Sequence, residues 1–561
     1  MKKKIGAVCV LASVVIGASV ALAACGSGGN NEALDATRTQ LYVYNYDGGF
    51  GSEWLTKAKT RYEALHAEDS YEEGKQGIQI MISNSKTKPE DEAILTNTEE
   101  VYFTEGIYYY TLKNKNIFAD ITAAVTGANP YETGKTVESK FTQQQKNFYN
   151  TNASTGGAAQ YYGIPHYSGT YGLIYNIDLF EEKGYYFLDV PTDDETLEGK
   201  FDYYGNGKRS AGPDGEYETD DDGLPATYEE FFDLCDYIAS TGDTPVAWTG
   251  QYYNQYLNGL LGSLIADFEG LDQMMLRYTF DGEATDLGTV SGNTFVKNSA
   301  TTNITAANGY ELARQEGVYR ALEFIRRLET TAKYHNSMAF NTTHSHMDAQ
   351  DDFLYAGNDG KTAPIAMLVD GTWWESEATN TFNKMATSVG ADYSKNNRHF
   401  GWMPLPKANA QKVDGSKNVL TDTLNSLCFV KRTIADWKLP IAIDFLQFVN
   451  TDASLTEFTL TTNAAKALNY TVADMSGMSP FGQNMMKYRQ NAEILYPYAS
   501  NSFYLNHESD FTLFETWKST VSGSLKNYPA QTFHESSITA AEYFTGIYTY
   551  YENFWNLNYK G

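Results

Sequence analysis

Two rhythms of polar and apolar residues run along this chain. Short β-branched or aromatic runs bounded by turn residues recur at 41–45 (LYVYN), 78–82, 100–103, 172–176 and 246–248. Such runs predict strands. Between them, apolar positions return every three or four residues, as on helices with one buried face. Trp54, Leu55, Ala58, Tyr62 and Leu65 do so within 53–66. Phe231, Leu234, Cys235 and Ile238 do so after a Thr227–Glu230 capping box. Strand, helix and strand in repetition predict an α/β protein with mainly parallel sheets and right-handed crossovers.

The same reading predicts helices over 251–268, 311–331, 346–354, 437–449 and within 542–555, strands at 400–403 and 424–431, and a hairpin or loop over 279–310. The run Ile365–Val369 (IAMLV) is apolar at every position and predicts a strand buried on both faces. It stops at Asp370-Gly371 and leads into Trp373-Trp374-Glu375. The open end of a buried strand is where α/β sheets bind their ligands. There Trp373 and Trp374 either stack on a flat ring such as a sugar or plug the core, while Asp370 and Glu375 can accept hydrogen bonds from hydroxyls. Trp248 carries the same two readings. The glycines of Asp47–Gly51 predict a ligand-cleft loop, because neither GxGxxG nor GxxxxGK is present.

The chain opens with Lys2-Lys3-Lys4, continues as a small-residue apolar run from Ile5, and reaches Leu22-Ala23-Ala24-Cys25. This is a secretory signal. The tetrapeptide resembles the lipobox of bacterial lipoproteins, which implies cleavage after residue 24, acylation of Cys25, and a location on the extracytoplasmic face of the cell membrane. Gly26–Asn31 reads as a flexible tether. Cleavage leaves 537 of the 561 residues and takes the formal charge from −28 to −31, since three lysines and no acid are lost. So acidic a body is unsuited to nucleic acid or to anionic lipid headgroups and suits a neutral or cationic ligand. Aromatic residues make up 14% of the chain, in keeping with carbohydrate contacts. Cys235 and Cys428, on a helical and a strand-like pattern, read as buried free thiols, with a single disulfide between them as the alternative.

Three stretches together resemble the family 1 extracellular solute-binding proteins, the sugar-binding lipoproteins of bacterial ABC importers. They are IAMLVDGTWWESEA at 365–378, YYGIPHYSGTYGLIYNIDL at 161–179, and the Met-Pro-Leu-Pro turn at 403–406. The resemblance implies a two-lobed periplasmic-binding-protein-like fold joined by a hinge. Residues 38–165 and 425–495 form the first lobe; 166–424 and 496–561 form the second. It implies a cleft holding Asp47, Glu105, His166, Tyr167, Trp248, Asp370, Trp373, Trp374 and Asn425, with His166 either touching ligand or satisfied by backbone at the hinge. It also implies a monomer that does no chemistry and hands a sugar to permease subunits. A peptide or other small-solute binder or sensor of the same fold is the alternative. A glycoside hydrolase is a more distant one, for which two facing carboxyls would be needed.

The segment 202–222 crowds Asp202, Asn206, Asp214, Asp220, Asp221 and Asp222 among glycine turns, with Lys208 and Arg209 in opposition. Oxygen ligands in tight turns suit calcium, and similar GPDG…DDGLP insertions in the family look like calcium loops. The expectation is a structural Ca2+ on these six residues, although the twelfth position of an EF-hand count is Pro213 and not Glu. The alternative is a solvated acidic loop. His344, His346 and Asp348 lack the further ligands of a metal hydrolase and read as a helix start.

Overall fold

A computed structural model describes residues 32–153, 155–189, 198–202, 205, 207–358, 360–413, 417–499, 501–506 and 516–559. The expected signal segment, Cys25 and Asn206 lie outside the described residues. Nine strands build the two larger sheets: β1 (Thr39–Tyr46), β2 (Ile78–Ser85), β3 (Val101–Thr104), β4 (Ile164–Pro165), β5 (Tyr171–Asn176), β6 (Thr244–Ala247), β7 (Ile365–Gly371), β8 (Phe400–Met403) and β9 (Leu427–Val430). The first sheet runs β2-β1-β3-β9-β4 and the second β8-β5-β7-β6.

In the first sheet β1 is parallel to β2, from Thr39↔Ile78 to Tyr46↔Ser85, and parallel to β3. The late strand β9 lies antiparallel to β3 and β4. In the second sheet β7 is parallel to β6 but antiparallel to β5, and β8 is antiparallel to β5. The α/β class is as expected, with more antiparallel pairing than the βαβ rhythm implies. The reason is local: β5 and β9 are strands of crossing segments, entering each sheet from the neighbouring lobe and not through a helical crossover.

The helices used below are α1 (Glu53–Leu65), α2 (Tyr228–Ser240), α3 (Tyr253–Glu269), α4 (Leu271–Thr279), α5 (Glu316–Thr330), α6 (His346–Tyr355), α7 (Leu439–Val449), α8 (Asp452–Thr462), α9 (Pro480–Asn491) and α10 (Ala540–Asn558). The apolar stripe of α1 buries Trp54, Leu55, Ala58 and Tyr62 against the first sheet, together with α7 and α8. The capping box of α2 forms: Glu230 N donates to Thr227 Oγ1 at 3.3 Å, and Thr227 N donates to Glu230 Oε2 at 3.1 Å. In the second lobe α2, α3, α5 and α10 pack one large core through Phe231, Leu260, Phe324 and Trp555. The stretch 279–310 holds two antiparallel pairs, Gly282–Ala284 with Thr302–Ile304 and Gly288–Ser291 with Thr294–Lys297. Cys235 and Cys428 are both buried and free.

The division between lobes differs from the expected boundary at 495. Helix α9 packs on the second sheet: Phe481 and Met485 join Trp374 and Phe400 in one cluster, and Asn484 Oδ1 accepts from Trp402 N at 2.8 Å. Conversely Tyr496 and Tyr498 pack with the first lobe's core. The apolar face of α9 matches the open side of β8, and sequence periodicity carries no record of which sheet a helix will cover. Next to these crossings Val419–Thr421 pairs in parallel with Glu493–Leu495.

Candidate ligand-binding cleft

Helix α3 carries an unusual stripe. Gln255, Asn258, Gly259 and Gly262 recur at helical spacing on one face of an otherwise apolar helix. Two glycines inside a helix each cost about 1 kcal/mol relative to alanine, so some closer approach must require them. At Gly259 a side chain would meet the ring of Tyr171, only 2.4 Å from its Cβ. At Gly262 a side chain would meet nothing within 4 Å. That open space is a cavity of about 370 Å³.

Both lobes line it. The first lobe supplies Lys88, Glu105 and Gly106 from the ends of β2 and β3; the second supplies the α3 stripe, Tyr171 and, from α4, Met274, Arg277 and Tyr278. The crossing segment Thr421–Asn425 forms one wall, and Trp517 and Tyr528 another. Tyr171 is held edge-on to Trp373 at 4.9 Å and to Tyr256 at 5.3 Å, and Gln255 Nε2 donates to its hydroxyl at 3.3 Å. Over Trp517, the Arg277 guanidinium lies 4.7 Å from the ring centroid, fixed by two hydrogen bonds to Gln315 Oε1. Glu105 accepts from the Tyr167 hydroxyl at 2.7 Å and lies 3.6 Å from Lys88 Nζ. Burial raises its carboxyl above the ordinary range, and the Lys88 charge opposes that rise.

Around Trp373 the lobes touch. A Cβ on Gly49 (φ +110°) would lie 3.0 Å from both Trp373 Cβ and Glu377 Cγ, so only glycine allows the β1 loop this approach. Beneath the contact, Gln350 Nε2 donates to Asp370 Oδ2 at 3.0 Å and to Glu377 Oε2 at 2.9 Å. Burial, reinforced by the Glu377 charge, pushes the Asp370 carboxyl up to about 7. His346 Nε2 stands 3.6 Å from Glu377 Oε1, an interaction that raises its ring above the usual histidine range.

Of the cleft residues expected from sequence, Glu105 and Asn425 line the cavity. Tyr167 and Trp373 stand one layer behind, supporting Glu105 and Tyr171. Asp370 lies at the interlobe contact. Asp47 shapes its own loop, accepting from Gly51 N at 3.0 Å and Asn84 Nδ2 at 3.3 Å. Three expectations are corrected. Trp374 is fully buried among Phe353, Phe400 and Phe481. Trp248 is fully buried too, its indole N–H donating to Ala339 O at 2.8 Å. His166 is enclosed by Trp54, Phe103 and Tyr167 in the first lobe. In each case neighbours distant in sequence close over the ring. Glu375 is likewise internal, accepting from Ser479 Oγ at 2.6 Å and Asn463 Nδ2 at 3.0 Å.

In the acidic segment the described carboxylates bond within the loop or face a lysine. Asp202 accepts from Gly207 N at 3.0 Å, and exposed Asp220 faces Lys487 at 3.6 Å. Asp214, Asp221 and Asp222 accept from the loop's own amides, with Thr219 Oγ1 donating to Asp221 Oδ1 at 2.7 Å. Among the described residues no three acidic, histidine or cysteine side chains are gathered as a metal would need. Burial and the Asp214 charge push Asp221 up to about 6. His344 and His346 flank Ser345, whose side chain caps α6.

No family model matches this chain, and no curated protein matches it. Solved structures do. A chitin oligosaccharide binding protein aligns over 92% of this chain and 98% of its own, at 12% identity and a TM-score of 0.54. The GacH receptor of Streptomyces glaucescens, described unliganded and with acarbose, aligns over 93% and 100%, at 13% identity and a TM-score of 0.52. The chain shares the two-lobed fold of these two binding proteins. A third structure with this fold, from work on xylan utilization by Caldanaerobius polysaccharolyticus, covers 91% of this chain and 99% of its own at 13% identity and a TM-score of 0.52. In this chain the cavity lies between the lobes. Sequence reasoning missed Lys88, Tyr171, Gln255, Asn258, Gly262, Trp517 and Tyr528 there. The α3 stripe was legible as polar and glycine positions on an apolar helix; Trp517 sits in no motif.

Proposed function

We propose that this chain is an extracytoplasmic binding protein, anchored through acylated Cys25, that captures a sugar or oligosaccharide between its lobes and delivers it to an ABC permease. The observation that carries the reading is the interlobe cavity, walled by Tyr171, Trp517 and Tyr528 and edged by Gln255, Asn258, Glu105, Lys88 and Asn425. Flat aromatic walls suit the apolar faces of pyranose rings, and side-chain amides and carboxylates suit hydroxyls, which are penalised if buried unpaired. The volume falls in the range of small-ligand sites. Proteins that share the fold are described with chitin oligosaccharide and with acarbose, which supports the ligand class. Lobe closure on ligand would do the work, with no bond made or broken.

A panel of mono- and oligosaccharides tests this reading by thermal shift, followed by chromatography of the incubated sugar. At least one sugar is expected to raise the melting temperature, by ordinary binding linkage, and to be recovered intact. Cleavage of that sugar would show an enzyme; no shift with any sugar, but one with peptides, would move the ligand to the alternative class. Anchoring has its own measurement. The precursor carrying Cys25→Ala is expected to lose fatty-acid label and leave the membrane fraction, whereas retention of both would sink the lipoprotein assignment.

A further inference from the structure

The crossing segment between β4 and β5 is strapped to the turn after α8. Ser168 N donates to Ala465 O at 3.0 Å, Ala467 N donates to His166 O at 2.9 Å, and Tyr167 and Lys466 form an isolated antiparallel bridge. Beneath this strap lies an arrangement that sugar binding does not use. The Lys466 ammonium is 1% exposed, and its Nζ lies 2.5 Å from His166 Nδ1. It stands 4.4 Å from the centroid of Phe458 and 4.5 Å from that of Trp54. Among the described residues no carboxylate offsets its charge. The far nitrogen of the histidine, Nε2, is buried without a hydrogen-bond partner. Two basic groups thus share one buried box at the hinge, and among the described residues no carboxylate balances a positive charge there.

We propose that Lys466 and His166 act as a proton-sensitive strap on the hinge, tight while both are uncharged and loosened as Lys466 takes up a proton that no carboxylate in the box offsets. The crossing segment presents Tyr167, whose hydroxyl is already donated to Glu105 at the end of β3. Strand β9 presents Cys428, which burial pushes up to about 12, so it stays neutral. The turn after α8 presents Tyr470, whose hydroxyl accepts from Lys466 N at 2.9 Å. α1, β3 and α8 present the apolar rings of Trp54, Phe103 and Phe458.

The direction of the pH effect follows from burial. Desolvation brings Lys466 down to about 7 and holds His166 well below its ordinary value, with the Lys466 charge adding to the latter. The unfolded chain therefore binds more protons than the folded one between about pH 7 and 10 at Lys466, and below pH 6.5 at His166. Stability from the pair is complete above the lysine's unfolded value and is lost as pH falls through the folded one. Buried Asp370, Glu375 and Glu269, each raised to about 7, work the opposite way between about pH 4 and 7, so only a Lys466 variant isolates the strap.

The test needs no ligand, so its failure leaves the sugar reading standing and the converse holds too. In the full chain labelled with 13Cε-lysine, one resonance is expected to titrate near 7 and to vanish in Lys466→Met. Amide exchange at Ser168 and Ala467, corrected for intrinsic chemistry, is expected to lose at least about tenfold in protection from pH 9 to pH 6, and to be flat over that range in Lys466→Met. Titration of every lysine near 10, or an unchanged slope in the variant, would overturn the proposal. If Lys466→Met does not fold, the wild-type exchange profile decides: falling protection supports the strap and constant protection removes it.

Discussion

Leucine in place of Gly262 is expected to abolish ligand binding while the protein stays folded. The position lies in the interior of α3 and faces the cavity, where a side chain would meet nothing within 4 Å. The new isobutyl group would occupy the space between Tyr171 and the opposite wall, where a sugar ring would lie. Affinity for a sugar found in the panel should fall by about 100-fold or more, roughly 2.7 kcal/mol. Helix propensity works in the other direction, since leucine is favoured over glycine by about 0.8 kcal/mol in a helix interior. The melting temperature should therefore hold or rise. Gly259→Leu, one turn away on the same face, is the contrasting substitution: its Cβ would lie 2.4 Å from the Tyr171 ring, so it should cost stability as well as binding. Undiminished binding by Gly262→Leu, measured calorimetrically, would place the ligand outside this cavity.

The difference between those glycines shows which parts of the fold and cleft sequence can reveal. Most elements were legible because their signals are local: a β-branched run for β1, a one-sided apolar stripe for α1, a capping box for α2. The strand expected at 365–369 was legible too and lies inside the second sheet, where it runs on through the expected turn to Gly371. What leads away from its end was not. Trp373 and Trp374 are adjacent, equally apolar and follow the same turn, yet one meets the first lobe and the other the second lobe's interior. That choice depends on α9 and Phe481, more than 100 residues downstream, and on Gly49, more than 300 upstream. Carboxylates were over-read for a similar reason. Asp47 and Glu375 are rich in acceptor oxygens, but the Gly51 amide donates to Asp47, and Ser479 and Asn463 donate to Glu375, so both brace the protein's own chain.

The two tryptophans should separate stability from binding when each is cut back to alanine. Trp374 is fully buried, with ring centroids of Phe400, Phe481 and Phe353 at 5.1, 5.5 and 5.7 Å, so truncation opens a cavity in the second lobe's core. A loss of about 3–5 kcal/mol is the usual scale for such a change. The denaturation midpoint of Trp374→Ala should fall accordingly, while the fraction that stays folded should bind its sugar with nearly wild-type affinity, because the ring lies away from the cavity. Trp374→Phe should recover much of the midpoint, since the indole N–H it removes has no hydrogen-bond partner to lose. Trp373→Ala should show the reverse pattern. Its ring supports Tyr171 at 4.9 Å and meets Gly49 across the lobes, so its removal frees a cavity wall and weakens the closed contact without emptying either lobe's centre. Affinity should drop by roughly tenfold or more, about 1.4 kcal/mol, with a midpoint shift well below that of Trp374→Ala. Urea denaturation of both variants, set beside titration with the same sugar, reads both quantities. If Trp373→Ala matches Trp374→Ala in lost stability and keeps full affinity, Trp373 is a core residue, and the lobes are then held together by something other than this contact.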